Sequence, residues 1–333
     1  MSAIIGAEGG TKLKKALVIG IDEYLSSPLN GCVNDANAVA ELLKTNGDGS
    51  PNFDVKQVVN VATKNELLGL LEELFSDNAD VSLLYFAGHG SDGGGGYLVT
   101  PDHNGRDLGV SMQDVLRFAN NSKCKNKVII LDCCFSGKIG ESVITQSSES
   151  VLGEGLTIMT ASSRNEASME SNGQGVFTNL LLQALRGGSA DVTGRITPAS
   201  IYAFIDQSLG AWEQRPLFKT NISQFFAIRE IEPRVSKSVL RKLGRYFQSP
   251  SDEFRLNPSF EFTNNPEYEH EMIEPYSIEE NVNKFKELQM FASIGLIEPV
   301  DEEHMYFAAM RNKSCKLTAL GLHYWTLSKD KRF

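Results

Sequence analysis

A mostly parallel, six-stranded α/β sheet covered by helices on both faces is the architecture this sequence predicts, followed by a smaller α+β unit. Three observations carry the prediction. Short, continuous aliphatic runs recur through the first two-thirds of the chain, as strands buried on both faces require. Stretches with apolar residues at helical spacing follow most of them, and cap or turn residues punctuate the alternation.

In chain order, Ala16–Ile21 reads as the first strand, and Asn34–Lys44 follows as a helix with Ala36, Val39, Ala40 and Leu43 on one face. Val55–Val61 is the second strand. Thr63–Glu66 has the Thr-x-x-Glu spacing of a capping box and opens a helix over Lys64–Phe75. Val81–Ala87 is the third strand, Ser111–Ala119 a helix, Lys127–Asp132 the fourth strand and Leu156–Thr160 the fifth. Helices follow at Phe177–Leu185 and at Pro198–Leu209, where the proline suits a first helical turn. Ile222–Ile228 is expected to be the sixth strand.

The 333 residues carry 32 Lys plus Arg against 42 Asp plus Glu, a net charge of −10, with 41% hydrophobic residues. That length suits two domains, and the composition excludes a disordered chain. No apolar run approaches the length of a membrane span, the N-terminus lacks the pattern of a secretory signal, and no membrane partner is expected. Five cysteines do not make a disulfide framework, so a reducing cytoplasm is the expected compartment. The expected organisation is a flexible start (1–11), a main domain (12–233) and a connector with a small interaction domain (234–333). The last part has a net charge of −1, which leaves −9 on the rest.

In a parallel sheet, reactive groups gather beyond the carboxyl ends of strands. The third strand ends in Ala87-Gly88-His89-Gly90 and the fourth in Asp132-Cys133-Cys134-Phe135-Ser136-Gly137. A histidine and a cysteine at such ends are what a thiol nucleophile needs, because the imidazole raises the thiolate fraction and relays a proton. The Gly90 N–H is placed to help bind an oxyanion. Irregular stretches follow both strands, at Ser91–Gly96 and Lys138–Gly155.

With Lys15–Ile21, Gly31-Cys32-Val33-Asn34-Asp35-Ala36 and Gln214–Phe218, these motifs resemble the caspase-like cysteine peptidases, closest to metacaspases and their bacterial relatives, the orthocaspases. The resemblance spans about residues 12–230. It implies a caspase-like fold with Cys134 as nucleophile, His89 as general acid/base, and the N–H groups of Gly90 and Cys134 as oxyanion hole. It leaves Cys133 as a packing residue. It also places Cys32, Asp35 and Asp132 in the subsite for the residue before the cut (S1), and the two acids imply cleavage of protein substrates after Arg or Lys. An Asp-selective relative would instead line that subsite with arginines. Many metacaspases need calcium; here Pro101–Val115 offers only the dispersed Asp102, Asp107 and Asp114, so no cofactor is expected. Between Ile139 and Ser163 there is no Lys or Arg, so self-processing in that loop is not expected.

The C-terminal part reads as winged-helix-like. A candidate capping box at Ser277–Glu280 opens a helix, followed by a strand at Met305–Ala309, a strand at Cys315–Leu317 and a helix at Thr318–Leu327. The first of these helices sets Lys284 and Lys286 against Glu279, Glu280 and Glu287, unlike the basic recognition helix of a DNA reader. A regulatory protein partner through 234–333 is therefore expected ahead of nucleic acid. The rival to an enzyme is a non-catalytic caspase-fold scaffold or DNA-linked regulator.

Overall fold

The structure, a computed structural model, describes residues 13–91, 95–104, 106–133, 152–161, 175–209, 216–263, 271 and 277–333. Cys134 and most of the loop 139–163 lie outside them. The chain divides into two compact units, one running to Asp191 and resuming over Arg195–Ile231, the other made of Val192–Gly194 with Glu232–Phe333.

In the first unit, β1 (Lys14–Gly20), α1 (Cys32–Lys44), β2 (Asp54–Val59), α2 (Lys64–Ser76) and β3 (Val81–Ala87) lead to a small antiparallel sheet of β4 (Gly90–Ser91), β5 (Tyr97–Val99) and β6 (Gly109–Ser111). Then come α3 (Met112–Asn121), β7 (Asn126–Asp132), β8 (Leu156–Thr160), α4 (Val176–Gln183), β9 (Arg195–Ile196), α5 (Pro198–Ser208), β10 (Leu217–Asn221) and β11 (Arg229–Glu230). The main sheet runs β10-β8-β7-β3-β1-β2, parallel except for β10. One face packs Leu17, Ile19, Leu84, Phe86 and Ile129 against Leu67, Leu71 and Val115 of α2 and α3. The other packs Val18, Leu83, Tyr85 and Ile130 against Val39, Leu181 and Ile201 of α1, α4 and α5. Alternation along β1, β3, β7 and β8 feeds both layers, which is why these four strands read as largely apolar runs.

The helix starts follow capping chemistry. The Thr63 hydroxyl accepts the Glu66 N–H at 3.2 Å, and Thr197 and Ser200 form a reciprocal box ahead of Pro198. The sixth strand is Leu217–Asn221, not Ile222–Ile228. As an antiparallel edge strand it is only half-covered, so it shows no continuous apolar run, whereas Ile222 and Phe225 of the more apolar segment are exposed.

The second unit holds α6 (Lys237–Leu240), α7 (Leu243–Tyr246), β12 (Glu253–Arg255), α8 (Glu279–Ser293), β13 (Ile297–Pro299), α9 (Met305–Met310), β14 (Ser314–Leu317) and α10 (Ala319–Lys329). Its antiparallel sheet runs β12-β14-β13, and Phe247, Phe285, Leu288, Phe291 and Tyr324 fill its core. Two expectations are corrected here. Met305–Ala309 is helical, because Met305, Ala308 and Ala309 bury at helical spacing, and a six-residue apolar run does not by itself distinguish helix from strand. Ser277 makes no capping box; Ile278 is the N-cap of α8, with no side-chain bond.

Candidate functional site

Three strands end level with one another. Gly20 of β1 pairs with Ala87 of β3, and Ala87 pairs with Asp132 of β7. The chain passes from β1 outward to β2, then returns to β3 on the other side of β1, so the order reverses between β1 and β3. That is the position at which open parallel sheets carry their sites. The rim there holds Asp22, Tyr24 and Ser27 after β1, His89 after β3, and Asp132 at the end of β7.

His89 is held on three sides. Its Nε2 lies 2.7 Å from the Ser27 carbonyl oxygen, which can only accept, so Nε2 carries a proton and Nδ1 is the nitrogen left for chemistry. Its backbone N–H donates to the Tyr24 hydroxyl at 3.0 Å, which in turn donates to the Val99 carbonyl at 3.2 Å. The Tyr24 and His89 rings meet edge-on, with centroids 4.5 Å apart. Gly88 makes this approach possible: a Cβ there would sit 2.6 Å from the Tyr24 hydroxyl. Burial pushes the Tyr24 pKa up, so it remains a neutral phenol able to play both roles.

Gly90 opens β4 opposite Leu98. The Val99 N–H bonds the His89 carbonyl at 3.0 Å, which makes Gly90 and Leu98 a non-hydrogen-bonded pair and leaves the Gly90 N–H outside that ladder.

The acids gather on the other side of the rim. Asp132 is half-buried, and its Oδ2 lies 2.5 Å from the Thr178 hydroxyl, itself 2.5 Å from the Tyr85 hydroxyl. An ionised carboxylate only accepts, so the Thr178 proton points at Asp132 and the Tyr85 proton at Thr178. Burial pushes the Asp132 pKa up, and the Thr178 bonds partly offset this. Asp35 is 3% exposed, and its Oδ2 accepts the Gly175 N–H at 3.2 Å. Gly175 stands between the two acids: the first carbon of any side chain there would lie 3.0 Å from Asp132 Oδ2 and 3.3 Å from Asp35 Oδ2.

Cys32 lies among three carboxylates. Burial first, then the nearby charges of Asp22, Asp132 and Asp35, push its thiol pKa up, which keeps it protonated. Asp22 caps α1 from outside the helix, its two oxygens accepting the Cys32 and Val33 N–H groups at 2.9 and 3.2 Å.

The structure therefore brings His89 and Gly90 together on one side of the rim, and Cys32, Asp35 and Asp132 together on the other. Cys134 lies outside the described residues, and Cys133 before it is buried in the layer with Ile129 and Leu131. The sequence reading missed Asp22, Tyr24, Ser27, Tyr85, Gly175 and Thr178. Asp22-x-Tyr24 directly after the first strand was the available signal, since that strand end borders the reversal of strand order.

The three acids considered for calcium are otherwise engaged. Asp102 accepts the Thr100 hydroxyl at 2.6 Å and the Lys64 N–H at 3.2 Å, Asp107 pairs with Lys64 Nζ at 3.0 Å, and Asp114 pairs with Arg117 at 3.0 Å. Hydrogen bonds from Lys64 and from Ser111 hold the Asp107 and Asp114 carboxyls below the usual range. Among the described residues, no group of three His, Cys, Asp or Glu converges as metal ligands. No described helix is long and apolar enough to cross a membrane.

The family model described as the caspase domain matches residues 13–227. Among solved structures, pro-sf-caspase-1 aligns at 15% identity with a TM-score of 0.47, covering 65% of this chain and 94% of that one. Caspase-1 from Spodoptera frugiperda aligns at 17% identity with a TM-score of 0.48, covering 66% of this chain and 91% of that one. No curated protein matches the chain.

Proposed function

The chain belongs to the caspase domain family, a family of cysteine peptidases acting on proteins, and on that premise we propose that it is an endopeptidase cutting after Arg or Lys. The observation that carries the proposal is the pairing of Ala87 with Asp132. In the sequence, His89 and Cys134 each stand two residues after that pair, following the ends of adjoining strands β3 and β7. The proton on Nε2 leaves Nδ1 to activate the thiol.

In this reading the Cys134 thiolate attacks the scissile carbonyl carbon, and the N–H groups of Gly90 and Cys134 stabilise the oxyanion. His89 gives its proton to the departing amine. Water, deprotonated by His89, then hydrolyses the thioester and frees the enzyme. Asp35 and Asp132 receive the cationic side chain before the cut, and Gly175 keeps the space between them clear.

Calcium independence belongs to the proposal, supported by the Lys64 and Arg117 partners of Asp107 and Asp114. So does a single-chain enzyme, because a pocket for basic residues finds none to cut between 139 and 163. The C-terminal unit recruits or regulates. Fluorogenic peptides differing only in Arg, Lys or Asp at the cleaved position test the reading: release from Arg and Lys supports it, and preference for Asp overturns it. Mass spectrometry after prolonged incubation should find the chain uncut within 139–163.

A further inference from the structure

The positive charge of the C-terminal unit is not on α8, where a recognition helix was sought. Residues 234–251 contain five Lys or Arg and no acid, in a chain of net charge −10. The fold adds the chain end to this segment. Ser328 Oγ donates to the Arg241 carbonyl at 3.2 Å, and Arg241 Nε donates to the Phe333 carbonyl at 2.9 Å. Lys329 Nζ lies 3.7 Å from the point a Gly244 Cβ would occupy. Arg241, Arg245, Lys329, Lys331 and Arg332 are all exposed, and the contacts of Arg241 and Gly244 with the last helix bring Arg241, Arg245 and Lys329 onto one surface. Asp330 faces Arg332 at 3.5 Å, while Asp252 feels the charge of Lys329.

Arg245 also lines a groove of about 490 Å³ with Lys242, Lys284, Tyr246, Phe254, Glu280 and Glu287. Inside it two of the three cations are paired. Lys242 pairs with Glu287, which also accepts the Tyr246 hydroxyl at 2.6 Å, and Lys284 pairs with Glu280 at 2.7 Å. The Tyr246 and Phe254 rings meet edge-on, with centroids 5.6 Å apart. Arg245 makes no ion pair among the described residues.

A groove with an aromatic wall and one unpaired cation, Arg245, opening beside Arg241 and Lys329, matches a polymer whose charge and planar groups are separate. We propose that this surface binds single-stranded nucleic acid, with phosphates on Arg241, Arg245 and Lys329 and a base against Tyr246 and Phe254. An acidic peptide would satisfy the cations, but the two glutamates disfavour its carboxylates in the groove, and it brings no recurrent planar group.

The test is fluorescence anisotropy of labelled 20-nucleotide single-stranded RNA and DNA with the full chain, titrated across salt concentrations. The expected result is binding that weakens linearly on a log–log plot, with a slope of about −0.7 per phosphate engaged. Arg245→Gln with Lys329→Gln should weaken binding about tenfold or more at low salt and flatten that slope by about 1.4. Tyr246→Ala should weaken binding without changing the slope. Failure of either oligonucleotide to bind at low salt would overturn the proposal. Binding insensitive to the paired substitutions, in protein whose thermal melt is unchanged, would do the same. Displacement by polyglutamate at equal charge as readily as by unlabelled oligonucleotide would assign the surface to an acidic protein. Should the paired variant unfold, the salt slope and the Tyr246→Ala comparison still decide.

Discussion

The two sides of the rim at the ends of β1, β3 and β7 are held by different means. On the histidine side the partners are a carbonyl oxygen, a neutral phenol and a ring edge, which orient the imidazole and leave Nδ1 without a hydrogen bond among the described residues. On the acid side two carboxylates are held inside by a hydroxyl chain and a backbone N–H, against the desolvation that burial imposes. In the proposed function one side moves a proton and the other presents negative charge to a cationic side chain. Both depend on the segment Asp22–Asp35, which supplies Tyr24 and Ser27 to the first and Cys32 and Asp35 to the second.

Substitutions separate the two sides, beginning with the largest effect. His89→Ala should lower kcat on an Arg peptide by about 10³-fold or more, since positioned acid–base catalysis contributes 10²–10⁴. Asp132→Asn should reduce kcat/KM for Arg peptides by about 10²-fold, as loss of one partner of a desolvated charge pair does. It should also raise the melting temperature at neutral pH. A carboxyl whose pKa is raised on folding binds its proton more readily in the native state, so its ionisation costs stability as pH rises above the usual aspartate value through the raised one. The same raised pKa predicts that activity on Arg peptides falls on acidification at a higher pH than an exposed aspartate would give. Thr178→Val, which removes a bond that lowers this pKa, should move the fall further up.

Gly175→Val narrows the space between the carboxylates, so it should raise KM about tenfold or more with a smaller change in kcat, as lost uniform binding does. Tyr24→Phe keeps the ring and removes the hydroxyl. It should cost about 1 kcal/mol, near fivefold in kcat, with KM unchanged. A fall in KM-dependent binding alone would contradict that role. The smallest effect expected is that of chelation: EDTA should leave turnover unchanged.

The comparison also marks where residue-level reading reaches. His89 was readable because side-chain chemistry and strand-end position coincide in it, whereas Asp35, in the first turn of α1, and Asp132, at the end of β7, were named only through the family resemblance. Ser27 was not, since it acts through a carbonyl that any residue carries. Tyr85 and Thr178 were hidden because strand and helix patterns assign such positions to packing; only the fold shows their hydroxyls meeting. Gly175 is one glycine among 29 until two acids are found beside it. Five of the six main strands were legible: four are interior strands whose two covered faces demand aliphatic runs, and the fifth, edge strand β2, shows itself through Val55, Val58 and Val59. Leu217–Asn221, with one neighbour, carries a weaker pattern and lost to the more apolar segment after it. Met305–Met310 was misread for the opposite reason, an apolar run too short to show its period. The basic tail at Lys329–Arg332 reads in the sequence as a solvated end, and its meeting with Arg241 and Arg245 was not legible because the two stretches are about ninety residues apart.

The most direct measurement is alkylation by a peptidyl-arginine chloromethyl ketone, in which a thiolate displaces chloride, followed by peptide mapping. One equivalent on Cys134 is expected, slowed in both His89→Ala and Asp132→Asn. Labelling at Cys32 or Cys133, no reaction faster than that of free cysteine, or faster reaction with the aspartyl analogue would contradict the account.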